Sequence, residues 1–187
     1  MKRPAAPGPD PGPDSGGRIS SRSPIRIARG GHDLALARAL FEEYAAGLGV
    51  DLCFQGFADE LASLPGKYGP PLGRLLLAGP PGDAVGCVAL RPLPALLPEV
   101  ACPAPGGEVT RLYVQPRARG TGTGRVLAAA IVDAARSIGY RTLCLDTLER
   151  MTEARAVYES LGFTRCARYY DNPLDDAVYF SLDLARA

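Results

Sequence analysis

The spacing of hydrophobic residues in the first half of the chain predicts two helices. Between residues 33 and 47 apolar side chains recur every three or four positions, as they do on the buried face of a helix. These side chains are Leu34, Ala37, Leu40, Phe41 and Tyr44. A second, shorter helix is predicted from about Phe57 to Leu64, because Pro65 and Gly66 follow as a stop signal.

The second half of the chain carries a longer helix with the same spacing. Leu127, Ile131, Ala134 and Ile138 fall on one face of it, and Gly139 follows as a C-cap. Short apolar runs bounded by Gly and Pro predict strands in both halves. We expect strands at 25–28, 75–78, 85–90, 109–114, 142–145, 164–168 and 178–184, a last helix at 152–161 and a loop at 92–107. This order predicts an α/β fold, with a mixed sheet packed by helices on both faces.

The composition fits one globular domain preceded by a tail. Of the 187 residues, 47% are hydrophobic and 22% are charged, which is typical of a soluble protein. Residues 1–23 are rich in Pro, Gly, Ser and Asp and contain almost no apolar side chain. Such a segment cannot bury enough surface to offset the entropy of ordering. We therefore expect a disordered tail at 1–23 and a single domain at 24–187.

The charge balance argues against two classes of partner. The 21 basic residues nearly equal the 20 acidic ones, so the net charge of +1 provides no general attraction to nucleic acid or to an anionic membrane. No stretch approaches the roughly 20 apolar residues that a membrane span needs. We expect neither nucleic acid nor membrane as a partner.

Cysteine and histidine are too scattered to suggest a metal site. The five cysteines form no C-x-x-C pair, and the single histidine, His32, lies far from all of them in the sequence. A zinc site needs several such ligands at close spacing, and a Ser-His-Asp triad needs a histidine beside its nucleophile. An odd number of cysteines without a signal peptide favours a cytoplasmic location. We expect Cys144 and Cys166 to be small packing residues in strands.

The glycine-rich segment Arg119–Gly124 is the most informative part of the sequence. It lies between a predicted strand and a predicted helix, where the free amides of the first helical turn and the helix dipole form an anion site. The segment lacks the lysine of a P-loop, and Arg125 and Leu127 stand where a dinucleotide fingerprint needs small residues. A tight turn without a ligand is the simpler alternative.

Two motifs together resemble the Gcn5-related N-acetyltransferase (GNAT) superfamily. Arg119, Gly122 and Gly124 match its fingerprint [QR]-x-x-G-x-[GA], and the segment from Ala154 to Phe163 matches its A-x-x-x-Y-x-x-x-G-F element. The resemblance covers about residues 24–187 and is closest to a bacterial subgroup. It implies a central, mostly antiparallel twisted sheet with helices on both faces and an acyl-CoA wedge between two splayed parallel strands.

The resemblance also implies acetyl-CoA as the acyl donor substrate and an unidentified amine as its acceptor. The acetyl group would pass to the amine by direct attack, and we keep a homodimer open as the assembly. The residues expected to bind acetyl-CoA follow the family motif and the strand before it. They are Leu112, Tyr113, Val114, Arg119, Gly120, Thr121, Gly122, Thr123, Gly124 and Arg125. A backbone amide within 112–114 is expected to stabilise the oxyanion, and Arg117 is a further candidate for phosphate contact.

The chemistry of amine acetylation requires an acid and a base. We choose Tyr158 as the acid for the leaving thiolate, on the resemblance; an aromatic packed in the core is the alternative. We choose Glu108 as the base, because it stands eleven residues before Arg119, as in some family members. Alternation along a strand places Glu108 on one face with Thr110 and Leu112, unless a bulge intervenes. Asp146 at a strand end, or a chain of water molecules, is the competing base.

One departure from the family keeps a second function open. Met151 stands where many members have asparagine, three residues before the alanine of the tyrosine motif. A catalytically inactive acyl-CoA-binding regulatory module is therefore the alternative to an N-acetyltransferase, and a structural α/β domain is a third interpretation. The amine pocket is expected near the first two helices, residues 64–71 and residues 169–171, with Asp59, Glu60 or Asp171 as candidate contacts.

Overall fold

The computed structural model describes residues 23–49, 56–93 and 105–185. The predicted tail lies outside these ranges except for its last residue. The helices are α1 (Gly30–Leu48), α2 (Phe57–Ala62), α3 (Thr123–Ile138) and α4 (Thr152–Ser160). The strands are β1 (Ile25–Ile27), β2 (Arg74–Ala78), β3 (Gly86–Pro92), β4 (Gly106–Val114), β5 (Thr142–Leu148), β6 (Thr164–Arg165) and β7 (Ala177–Asp183). Short 3-10 turns cover Gly66–Tyr68 and Pro116–Ala118.

The strands form one mixed sheet. In the described part of the chain seven strands lie in the order β1-β2-β3-β4-β5-β7-β6. The β4–β5 pair is parallel, and the other neighbouring pairs are antiparallel. The predicted α/β class and mostly antiparallel sheet are confirmed.

Helices pack on both faces of the sheet, as predicted. On one face Leu127 and Ile131 of α3 are fully buried in the larger apolar cluster, where the helix packs against β2, β3 and β4. On the other face Leu40 and Phe41 of α1 pack against β2 and β3. Gly139 ends α3 in the left-handed conformation (φ 99°), which confirms the predicted C-cap.

The beginning of β4 differs from the prediction. The strand begins at Gly106, three residues before the predicted start, and Gly107 pairs with Pro92. The prediction of a loop through Gly107 was therefore wrong at its end. A Cβ at Gly107 would lie 3.0–3.1 Å from the side chains of Leu90, Leu143 and Tyr140. Here glycine serves close packing within the sheet rather than a turn.

A β-bulge interrupts β4 after Thr110. Tyr113 pairs with Cys87 and Thr110 pairs with Ala89, so Arg111 and Leu112 together oppose one residue of β3. Arg111 has a φ of 56°, the left-handed region that favours glycine. The bulge breaks the expected alternation. Thr110 pairs with Ala89, which belongs to the cluster on the α1 side, whereas Leu112 packs with the larger cluster on the other face. Arg111 points to α2, on the same side as Thr110.

A buried ion pair fixes this bulge to α2. The guanidinium of Arg111 donates to both carboxylate oxygens of Glu60, at 2.7 and 3.1 Å, and the ammonium of Lys67 lies 2.8 Å from the same carboxylate. Both Arg111 and Glu60 are 5% exposed. Burial alone would raise the pKa of Glu60, but Arg111 and Lys67 hold it below its ordinary value. The negative charge of Glu60 is therefore balanced by Arg111 and Lys67 inside the protein, and Glu60 does not serve as a free contact for a cationic amine.

The parallel pair β4–β5 separates after three residue pairs. Its ladder joins 106–108 to 142–144, and each strand then continues without pairing to the other. The gap confirms the splayed parallel strands that the sequence resemblance implies, and it opens toward α3 and α4.

The described ranges contain neither a membrane-spanning helix nor a metal cluster. Within them no helix combines the length and the apolar character needed to cross a lipid bilayer. Nor do three or more His, Cys, Asp or Glu side chains of these ranges cluster in a way that could hold a metal ion.

The described cysteines differ in their bonding. Cys87 and Cys166 are free, whereas Cys144 is disulfide-bonded, which the sequence interpretation did not anticipate.

Removing the charge of Glu60 tests its role in the fold. We expect Glu60→Gln to lower the free energy of unfolding by roughly 3 to 5 kcal/mol, since a buried arginine loses its charge partner. Urea denaturation followed by circular dichroism measures the loss. Asp133→Asn is the matched control, because it breaks an exposed 3.0 Å ion pair with Arg136 and should cost less than about 1 kcal/mol. Equal losses for the two variants would contradict the assigned role.

Candidate functional site

The glycine-rich segment forms the entrance to α3. Gly122 is the N-cap residue with a φ of 83°, a left-handed conformation that favours glycine. No side chain of the described residues caps this helix end, and its first backbone bond runs from the amide of Val126 to the carbonyl of Gly122. The amides before Val126, in the first turn of α3, have no acceptor within the helix and are therefore available to an anion.

A groove of about 660 Å³ runs from this helix end along β4. Its walls are the end of β4, the glycine-rich turn, the C-terminal end of α1 and the first turn of α4. Nine of the ten residues predicted to bind acetyl-CoA line it: Leu112, Tyr113, Val114, Arg119, Gly120, Gly122, Thr123, Gly124 and Arg125. The tenth, Thr121, instead bonds within the turn, to the Ala118 carbonyl at 2.7 Å and the Thr123 hydroxyl at 2.8 Å.

The arginines near the groove differ in their surroundings. Arg125 lines the groove without an ion pair to the described residues. Arg119 donates from Nε to the Val114 carbonyl at 3.0 Å, and its guanidinium lies 5.9 Å from the centre of the Tyr113 ring. Arg117, which the sequence suggested as a phosphate contact, forms a 2.6 Å ion pair with Asp83. Arg119 and Arg125 are therefore the cations available beside the anion site.

A smaller cavity occupies the gap between β4 and β5. Its polar lining comprises Tyr44, Thr110, Arg111, Asp146, Thr147 and Tyr158. Tyr44, Leu112 and Met151 line both this inner cavity and the groove, so the two spaces meet at these side chains. The inner cavity is where a group carried along the groove would meet titratable side chains.

Tyr158 faces the inner cavity from α4. Its ring packs against Phe163 with centroids 5.8 Å apart, and its hydroxyl makes no hydrogen bond to the described residues. Burial raises the pKa of Tyr158, and the nearby Tyr44 and Asp146 raise it further. Tyr158 is thus both packed in the core and protonated at a cavity wall, which is the state that a proton donor needs.

Glu108 lies in a closed environment. Its side chain is almost fully buried, one oxygen is paired with the guanidinium of Arg91, and the other accepts a 3.0 Å hydrogen bond from the hydroxyl of Tyr169. Glu108 lines neither the groove nor the inner cavity. Its role as the base stays a prediction, and these contacts give it no direct path to a substrate.

Asp146, the competing candidate for the base, borders a cavity instead. It lines the inner cavity, and its Oδ2 accepts hydrogen bonds from the Tyr170 hydroxyl at 2.9 Å and the Asn172 amide at 3.2 Å. Burial, followed by the charge of Glu108, raises the pKa of Asp146 to about 6. A carboxylate with such a pKa is ionised at neutral pH and is a stronger base than an exposed aspartate.

Sequence reasoning missed the place of Tyr44 and of Asn172. The apolar spacing of α1 includes Tyr44 as a core residue, yet its side chain lies where the groove and the inner cavity meet, and burial raises its pKa to about 12. No local pattern marks Asn172 as a partner of Asp146, because 26 residues separate them. Met151, the departure from the family motif, accepts a 3.7 Å contact from the Thr147 hydroxyl at its sulfur.

Comparison with known proteins gives a consistent result. The model of the acetyltransferase (GNAT) family matches residues 38–163. A Schizosaccharomyces pombe protein named as an uncharacterised N-acetyltransferase is 38% identical over 156 residues, which are 82% of this chain and 90% of that protein. A Dictyostelium discoideum protein named in the same way is 26% identical over 83% of this chain and 96% of its own length.

Solved structures agree with the fold. An acetyltransferase from Streptococcus agalactiae superposes with a TM-score of 0.67 at 20% identity, covering 86% of this chain and 97% of that one. The structure of yncA from Salmonella typhimurium with its cofactor acetyl-CoA superposes with a TM-score of 0.59 at 22% identity, covering 87% and 94%. The family model spans well over half of the sequence and includes both the glycine-rich turn and Tyr158. The chain therefore belongs to the GNAT family of acetyltransferases.

Proposed function

We propose that the protein transfers the acetyl group of acetyl-CoA to a primary amine by direct attack in a ternary complex. The observation that supports this proposal is the continuity of two spaces. A groove begins at the free N-terminus of α3 and opens into the gap between β4 and β5, where Asp146 and Tyr158 lie. A long anionic thioester and a protonatable amine are the reactants that such an arrangement fits.

Acetyl-CoA fits the groove in one direction. Its pyrophosphate would lie at the amides before α3, beside Arg119 and Arg125. Its pantetheine would follow the edge of β4, which is unpaired to β5 beyond Glu108. The thioester would then reach the inner cavity, where a backbone amide within 112–114 is our candidate for stabilising the oxyanion.

We assign the base to Asp146 in preference to Glu108. Near pH 7 about one in a few thousand lysine-like amines is neutral, so a group must accept a proton before or during attack. Asp146 lines the inner cavity, whereas both oxygens of Glu108 are already engaged by Arg91 and Tyr169. Glu108 acts here through its charge, which helps to raise the pKa of Asp146.

We assign the acid to Tyr158. Departure of CoA leaves a thiolate that needs a proton, and the Tyr158 hydroxyl is protonated and faces the inner cavity. The inactive regulatory module remains the second candidate, because Met151 replaces a polar side chain at the meeting point of the two spaces. A cytoplasmic location and a homodimer stay predictions from the sequence.

Acetyl-CoA binding is tested by thermal unfolding. We expect acetyl-CoA at 100 times its dissociation constant to stabilise the protein by about 2.7 kcal/mol, which raises the melting temperature by several degrees. Gly122→Glu should abolish the increase, because a carboxylate then occupies the anion site. Gly139→Glu is the matched control: Gly139 is also left-handed with no atom within 4 Å of an added Cβ, but it lies at the other end of α3. Loss of the increase in both variants, or in neither, would argue against the assigned site.

The role of Tyr158 is tested by removing its hydroxyl. Tyr158→Phe keeps the ring that packs against Phe163 and should lower kcat about 10²-fold or more, with the KM for acetyl-CoA little changed. CoA release is followed with a thiol reagent, using kanamycin, spermidine and a lysine peptide as acceptors. Tyr140→Phe is the control, since that hydroxyl donates to the Leu72 carbonyl and its side chain lines neither space. A kcat within twofold of the wild type would make Tyr158 a packing residue only.

The choice between the two carboxylates is tested by the pH dependence of kcat. A base must be deprotonated, so with Asp146 as the base the rate should rise with pH through about 6. Asp146→Asn should lower kcat about 10²-fold and remove this rise. Glu108→Gln should keep activity and move the rise to lower pH, because the charge that raises the pKa of Asp146 is gone. An inactive Glu108→Gln beside an active Asp146→Asn would reverse the assignment.

A further inference from the structure

The segment after β6 carries two donors that converge on one carboxylate oxygen. The Tyr170 hydroxyl donates to Oδ2 of Asp146 at 2.9 Å, and the Asn172 amide nitrogen lies 3.2 Å from the same oxygen. That amide also donates to the Tyr170 hydroxyl oxygen at 2.8 Å. The three side chains form a closed triangle of hydrogen bonds at Oδ2.

The two donors are themselves held in place. The Asn172 side chain accepts a 3.0 Å bond from the Leu174 amide, and Asn172 is 5% exposed. The Tyr170 ring belongs to a cluster with Tyr169 and Tyr179, in which the centroids lie 5.3–5.8 Å apart. Neither donor can leave Asp146 without disturbing buried packing. The positions of the two donors are therefore fixed by other contacts, and they determine the orientation of the carboxylate.

Two neighbouring tyrosines serve different carboxylates. Tyr169 donates to Glu108 of β4, and Tyr170 donates to Asp146 of β5. The segment therefore contacts both of the strands that separate at the inner cavity. Removing the Tyr169 hydroxyl therefore removes a hydrogen bond to Glu108, and removing the Tyr170 hydroxyl removes a hydrogen bond to Asp146.

Other charged or titratable groups surround Asp146 on several elements. Glu108 and Arg111 face it from β4, with opposite effects on its charge. Tyr44 of α1 and Tyr158 of α4 lie across the inner cavity. Tyr179 of β7 is its cross-strand neighbour and donates to the Tyr170 carbonyl instead, at 3.5 Å. Of these groups and the 169–172 segment, Tyr170 and Asn172 are the donors hydrogen-bonded to Asp146.

We propose that Tyr170 and Asn172 are positioning residues for acetyl transfer, which hold Oδ2 of Asp146 so that Oδ1 faces the acceptor amine. The proposal rests on Asp146 as the base in the function proposed above. It assigns to a segment that does not line the proposed acetyl-CoA groove the task of orienting the group that receives the proton of the amine. The two donors also favour the ionised carboxylate.

The pH profile of kcat tests this proposal, with the most active amine of the acceptor panel. Tyr170→Phe removes a donor to the ionised carboxylate, so the rise of kcat with pH should move upward by about one pH unit. The KM for acetyl-CoA should stay unchanged, because Tyr170 does not line the groove. Titration of the labelled Asp146 carboxyl by carbon-13 NMR should show the same upward movement without any acceptor.

Matched variants separate this proposal from the function on which it rests. Tyr179→Phe makes the same change within the same aromatic cluster and should leave the profile in place. Tyr169→Phe should not move the profile upward, whereas a movement with Tyr169→Phe and none with Tyr170→Phe would point to Glu108 and overturn the proposal. A Tyr170→Phe profile identical to the wild type, with Asp146→Asn inactive, would overturn the positioning role and leave Asp146 as the base. An active Asp146→Asn would overturn both.

Discussion

The ion pair between Glu60 and Arg111 holds together the part of the molecule on which the site depends. It fixes a left-handed arginine in the bulge of β4, and the bulge turns Leu112 toward α3 while Arg111 stays on the side of α1 and α2. Without the bulge, the residues after Thr110 would face the opposite sides of the sheet. The walls of both the groove and the inner cavity would then carry different side chains.

Two carboxylates lie on the two parallel strands, and their surroundings separate their chemistry. Glu108 on β4 is closed in by Arg91 and Tyr169, whereas Asp146 on β5 borders a cavity. Burial and the charge of Glu108 both raise the pKa of Asp146. One carboxylate is thereby engaged by its two partners, and the other borders a cavity with a raised pKa, although the two lie on neighbouring strands.

The sequence predicted what local patterns determine. The glycine-rich turn, the helix after it and the place of Tyr158 depend on short-range spacing, and the structure brings the first of these to a groove and Tyr158 to the inner cavity. The choice between Glu108 and Asp146 depends instead on contacts with Arg91, Tyr169 and Asn172. These contacts join residues 17 to 61 positions apart, and no periodicity encodes them. The bulge at Arg111 was anticipated as an exception, but its position comes from pairing with β3 and from Glu60, which is 51 residues away.

The short parallel ladder has a consequence for how the domain is held together. Within the described residues, the two groups of strands β1–β4 and β5–β7 are joined by the short ladder between 106–108 and 142–144 and by the bond from the Arg141 amide to the Pro105 carbonyl beside it. Farther along the two strands the connection relies on apolar side chains of the larger cluster. A seam of this kind is where a domain divides most easily into separately opening units. A ligand that fills the gap becomes a structural part of the sheet and braces its two halves against each other. With the function proposed above, acetyl-CoA in the gap would stabilise the sheet as a whole at the place where the two strands share no hydrogen bonds.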